Sequence, residues 1–159
     1  VVRFGQTQPR RMVLDGVLKY RAALRAAGLV SGFQWVDGSF LENVEAIETR
    51  APNDIDVVTF FDLPAGKSQM DIQQQFYDLF PATRGAHQKL KDTYFVDAYY
   101  EHLGKAPSRL VRQSSYWYSM WSHRRNQAWK GYVQIDLAPT DDAVASAQLD
   151  NLARQGVPA

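Results

Sequence analysis

Two carboxylates one residue apart, Asp54 and Asp56, open an apolar run that continues through Val57, Val58, Phe60 and Phe61. In a strand, successive side chains alternate between faces. Asp54 and Asp56 therefore share one face, while Ile55 and Val57 share the other. Their Cα atoms then lie about 6.5–7 Å apart, so both can reach one hard divalent cation. Mg²⁺ is held in this way, by one or two carboxylates plus substrate phosphates. Two acids projecting from an apolar strand are costly unless something positive compensates them. Upstream, the apolar residues Phe33, Trp35 and Val36 end at Gly38-Ser39. Glycine removes the Cβ that would block close approach, and serine adds a hydroxyl. The pair is a candidate phosphate-binding turn.

The strongest concentration of positive charge lies later in the chain, at Arg109, Arg112, Arg124, Arg125 and Lys130, beside Tyr116, Trp117, Tyr118 and Trp121. Cations next to aromatics suit a polyphosphate and a base or a nucleic-acid strand, through charge-assisted bonds and stacking. Arg124, Arg125 and Lys130 are the candidates for phosphate contact; Trp117 and Trp121, four apart on a helix, are expected in the core. Other chemistries lack their residues. Cysteine is absent, and no G-x-S-x-G, H-E-x-x-H or Walker lysine motif occurs. His87, His102 and His123 are scattered without metal-ligand spacing. Glu42, Glu45 and Glu48 fall at a helical spacing and are expected to be a solvated face.

The signature Gly38-Ser39, then Asp54-x-Asp56, resembles the nucleotidyltransferase superfamily that includes polymerase beta. The wider layout from about Phe4 to Leu137, with WVDGSF, PNDIDVV and an aromatic, arginine-containing segment leading to KGYVQIDL, resembles a small prokaryotic branch of it. The connection between Ser39 and Asp54 is a little longer than the family's usual one and carries Pro52. The resemblance implies transfer of a nucleotidyl group from a nucleoside triphosphate to a hydroxyl of RNA, a protein or a small molecule, with release of pyrophosphate. Asp54 and Asp56 would hold Mg²⁺ (Mn²⁺ as the alternative ion), and Gly38 and Ser39 the triphosphate. A third acid is then needed as metal ligand or base. Asp97 fits that role, because aspartate is a poor strand former inside TYFVDAYY; Asp136, in a later strand, is the rival. By analogy, small members of this superfamily belong to toxin-antitoxin or defence systems. The alternative is a non-catalytic nucleotide- or nucleic-acid-binding module or regulatory subunit with the same fold.

These residues need a scaffold. At 159 residues the chain is expected to be one domain, residues 1–159, of α/β (α+β) class with a mixed sheet of about four strands and packed helices. With no second domain to grip an acceptor, a homodimer or partner subunit is expected. Val1 to Pro9 reads as an extended arm, followed by an amphipathic helix from Arg10 to Ala27 with Gly28 as its stop. Further helices are expected from Ser68, over Thr83–Lys91 and Pro107–Ser122, and over Thr140–Gln155, capped by Thr140 and stopped at Gly156. In that last helix Val144, Ala145, Leu149 and Leu152 are expected to face inward. Strands are expected at Thr93–Tyr100 and Tyr132–Leu137. Net charge is +1, so any basic site must be local. No stretch approaches the roughly 20 apolar residues that span a bilayer. The first residue, Val1, points to a processed or trimmed start. No signal-peptide core follows it, and a cytoplasmic protein is the expectation.

Overall fold

The four-by-three spacing of Val13, Val17, Tyr20 and Leu24 becomes the buried stripe of α1 (Gln8–Ala26), in a computed structural model that describes residues 1–155. Next come β1 (Gly32–Asp37), α2 (Val44–Glu48) and β2 (Ile55–Phe61). They are followed by α3 (Gln69–Gln75), α4 (Arg84–Tyr94), β3 (Val96–His102), α5 (Pro107–Trp121), β4 (Val133–Asp136) and α6 (Asp142–Arg154). The class is α+β, with six helices and one mixed four-stranded sheet among the described residues. The strands run in the order β3-β2-β1-β4. β1 pairs antiparallel with β2 and β4, whereas β2 and β3 are parallel, which requires the long crossover through α3 and α4. No helix among the described residues is long and apolar enough to cross a membrane.

The sheet buries both faces. On one, Val36, Ile55, Val57, Phe61, Val96 and Ala98 pack against the stripe of α1 and Leu90 of α4. On the other, Val58 and Phe60 pack against Trp117 and Trp121 of α5, so both tryptophans are core as expected. The crossing of α1 and α4 is close: a Cβ at Gly16 would clash with the backbone carbonyl of Tyr94. Two buried arginines of α1 fasten it to the rest. Arg21 donates to Gln34 Oε1 (2.7 Å), to Asp142 Oδ1 (2.9 Å) and to the carbonyl of Asp136 (2.8 Å), and Gln34 in turn donates to Thr59 (2.9 Å). Arg10 donates to Glu45 (2.6 Å) and to the carbonyls of Phe40 (2.7 Å) and Glu42 (2.6 Å).

Several expectations are corrected. The first residues are not an extended arm: the N–H groups of Phe4 and Gly5 close a turn on the carbonyl of Val1, and Phe4 packs on Phe40. Thr93 and Tyr94 are helical, not strand. α4 runs on until Phe95 adopts the left-handed conformation (φ 55°), and β3 starts at Val96 and extends through Glu101 and His102. Packing of Tyr94 beneath α1, with its ring 5.8 Å from that of Tyr20, outweighs its strand propensity. Glu42, Glu45 and Glu48 do not form a solvated face, because Glu42 lies outside α2 and both Glu42 and Glu45 bind cations. Thr140 sits in a short 3₁₀ turn and does not cap α6, whose first residue, Asp142, pairs with Arg21 and Arg25. Within α6 Leu149 is buried, but Val144 is exposed. The glycine stop at Gly156 lies outside the described residues.

Candidate functional site

Three strands end side by side in a row of acids. The antiparallel register sets Asp37 opposite Asp56, and the parallel register sets Asp56 beside Asp97. Directly paired residues project to the same face. Asp56 has the parity of Val58 and Phe60, so the row lies on the α5 side of the sheet. Asp54, just ahead of β2, lines the same cleft of about 770 Å³, as do Gly38 and Ser39. The two-residue period thus brings Asp54 and Asp56 together as expected, and Asp97 joins them. Asp136 does not: it lies at the far end of β1, paired with Phe33, and lines a separate groove. Of the two candidates for a third acid, Asp97 lines the cleft and Asp136 does not.

The turn after β1 is shaped around Asp56. Gly38 has φ 95°, a left-handed value that favours glycine, and a Cβ there would collide with the Asp56 carboxylate. Ser39 then begins a single 3₁₀ turn that drives Phe40 into the core, fixing the turn from behind.

Charge in the cleft is dense and only partly matched. Lys91 of α4 places its ammonium 2.9 Å from Asp54 and 2.7 Å from Asp97, and His87, one helical turn earlier, lies 2.9 Å from the other oxygen of Asp97. Burial opposes the charge on Lys91, but its bonds to Asp97 and Asp54 outweigh that and hold it well above the ordinary lysine range. Lys130 sits 2.9 Å from Asp37 and 3.5 Å from Glu42, and Arg124 Nε 3.2 Å from Glu42. Two of the three cations expected on phosphates are therefore held by carboxylates, while Arg125 is exposed at the rim.

Asp56 differs from its neighbours. It makes no ion pair among the described residues, and burial together with the charges of Asp54, Asp97 and Asp37 pushes its carboxyl up to about 6. Burial likewise raises Asp37 against the hydrogen bond from Lys130, and its Oδ1 is buried without a hydrogen-bond partner. An under-neutralised carboxylate next to one with an unpartnered oxygen, all hard donors, suits Mg²⁺ or Mn²⁺ better than a softer metal. Among the described residues no three or more acids or histidines form a ready-made cage for an ion. A carboxylate pair completed by phosphate oxygens is the usual arrangement for Mg²⁺, so Asp54 and Asp56 fit that part.

Sequence reasoning missed Asp37, His87 and Lys91. Asp37 directly precedes the Gly-Ser turn at the end of an apolar strand, and His87 and Lys91 stand four apart on one helical face. Those spacings are legible, but what they face is set by pairing between distant segments. No curated protein and no solved structure matches the chain. A family model does match residues 1–136, and the chain accordingly belongs to the "Family of unknown function (DUF6932)".

Proposed function

We propose that this cleft carries out Mg²⁺-dependent nucleotidyl transfer from a nucleoside triphosphate to a hydroxyl acceptor. The observation that supports the reading is the row Asp37-Asp56-Asp97, with Asp54 beside it and a glycine-serine turn packed against Asp56, all lining one cleft of about 770 Å³. Asp54 and Asp56 would hold Mg²⁺, which when bound supplies charge neutralisation and alignment of the phosphates. Gly38 lets the Asp56 carboxylate sit against the turn, and the Ser39 hydroxyl and exposed Arg125 offer donors to phosphate oxygens. Asp97 accepts the proton of the attacking hydroxyl, with His87 and Lys91 fixing the orientation of its carboxylate. The acceptor oxygen bonds to the α-phosphorus, the bond from that phosphorus to the bridging oxygen breaks, and pyrophosphate departs. The resemblance of Gly38-Ser39 and Asp54-x-Asp56 to the nucleotidyltransferase signature supports the same chemistry.

A specific observation favours a second reading, a binding module without turnover: Lys91 already neutralises Asp54 and Asp97 from within the chain. Thermal melting with ATP, CTP, GTP and UTP, with and without Mg²⁺, separates the two. At a hundredfold excess over Kd, a nucleotide raises Tm by about 5–10 °C through mass action. The transfer reading requires that this rise needs Mg²⁺ and disappears in Asp54→Ala/Asp56→Ala. It also expects Lys91→Gln to melt lower without Mg²⁺ and to recover when Mg²⁺ is added. A nucleotide shift that ignores the metal and survives the double substitution establishes the module instead.

A further inference from the structure

Beside the acid cleft, α5 presents a face that the core does not use. Arg109, Arg112, Tyr116 and Met120 recur every three or four residues, and all four are exposed. The stripe is about 16 Å long by helical rise. Its last two members, Tyr116 (51% exposed) and Met120 (58%), form one wall of the cleft mouth. His123, which also lines the cleft, packs its ring 4.2 Å from that of Trp129, which is 71% exposed. Single exposed apolar side chains are ordinary, but Tyr116 and Met120 share one wall of an opening whose lining residue His123 carries a third, Trp129, against its ring. The charges beside them are available too. Arg109, Arg112 and Arg125 make no ion pair among the described residues, whereas Arg124 and Lys130, deeper in, are held by acids.

From this juxtaposition we infer that the accepting hydroxyl belongs to a single-stranded nucleic acid, laid along α5 with its end in the cleft. Flat apolar rings spaced between free guanidinium groups match what such a strand offers: unpaired bases to stack and phosphates to neutralise. A duplex keeps its bases stacked on one another and offers only its charge. A small polar acceptor would need neither the exposed rings nor an exposed stripe about 16 Å long that begins with two free arginines. The inference rests on the transfer reading for what happens in the cleft, but the strand-binding surface shares only Arg125 with the proposed triphosphate site.

Fluorescence anisotropy tests it, using labelled twelve-nucleotide RNA, DNA of the same sequence, and the RNA duplex, without added metal. Single strands are expected to bind at least tenfold more tightly than the duplex, and the better of RNA and DNA names the sugar. Arg109→Gln/Arg112→Gln/Arg125→Gln is expected to weaken binding more than tenfold and to flatten the salt dependence by about 0.7 for each phosphate no longer neutralised. Tyr116→Ala is expected to cost about tenfold with no change in that slope. All these side chains are exposed, so the variants should melt like the wild type, which differential scanning fluorimetry verifies. Equal affinity for duplex and single strand, absence of binding, or wild-type affinity in both variants overturns the inference. If nucleotide melting shows metal dependence while anisotropy shows no strand binding, transfer survives and the acceptor is a protein or small molecule. Strand binding without a metal-dependent nucleotide shift leaves this surface standing and removes the transfer reading.

Discussion

Two charged clusters in this protein are built from similar parts and behave in opposite ways. Around Arg21, between α1, the sheet and α6, every component has a partner: the guanidinium meets Asp142, Gln34 and a carbonyl, and Gln34 meets Thr59. Around Asp56, acids outnumber cations, one carboxylate lacks a cation, and one buried oxygen lacks a donor. The first cluster joins elements distant in sequence and leaves no chemistry unused. The second holds its charge under tension beside an open cleft. Satisfied polar networks mark architecture, whereas unsatisfied ones beside an open cleft are where a functional site is first sought.

Substitution on each side tests the comparison. Arg21→Ala is expected to have the largest effect, a loss of about 3 kcal/mol, because it leaves Gln34 Oε1 and the Asp136 carbonyl without their buried donor and Asp142 with Arg25 alone; urea unfolding reads it directly. Asp56→Asn is expected to act in the other direction. The folded carboxyl, at about 6, lies above its unfolded value of 3.8, so ionising it in the native state costs stability. That cost is absent below the unfolded value and grows as pH rises through about 6. The variant should therefore gain about 2 kcal/mol at pH 8 in metal-free buffer, and the gain should vanish near pH 4. A loss at pH 8, or a gain independent of pH, would break the contrast between the clusters. The smallest change is expected for Asp136→Asn, within about 0.5 kcal/mol, since only the backbone carbonyl of that residue is used; the same unfolding curves report it.

Much of this was legible in the chain. The stripe of α1 follows from its apolar spacing, and the shared face of Asp54 and Asp56 from the two-residue period of a strand, because both are local rules. The place of Asp37 was not legible, although it sits beside the Gly-Ser turn. Its membership depends on the register of β1 against β2, a contact between segments separated by the whole α2 connection. Lys91 was hidden for the same reason: a lysine in a polar helix reads as solvent-facing until α4 is seen to lean its last turns over β3. Propensity failed at Tyr94, where an aromatic that favours strands was claimed by the contact with Tyr20. Composition could not reveal that Arg124 and Lys130 answer to Glu42 and Asp37, since ion pairing depends on three-dimensional proximity.

The parallel pairing of β2 with β3 has a consequence for the life history of the molecule. A newly emerging chain can zip β1 to β2 as a neighbouring antiparallel pair, bringing Asp37 and Asp56 together early. Asp97 and its lysine and histidine companions arrive only after the crossover has been synthesised and docked at the sheet's edge. Half-made copies thus hold two of the row's acids and not the third. The full row therefore assembles only after β3 has been made and the crossover has folded back onto the sheet.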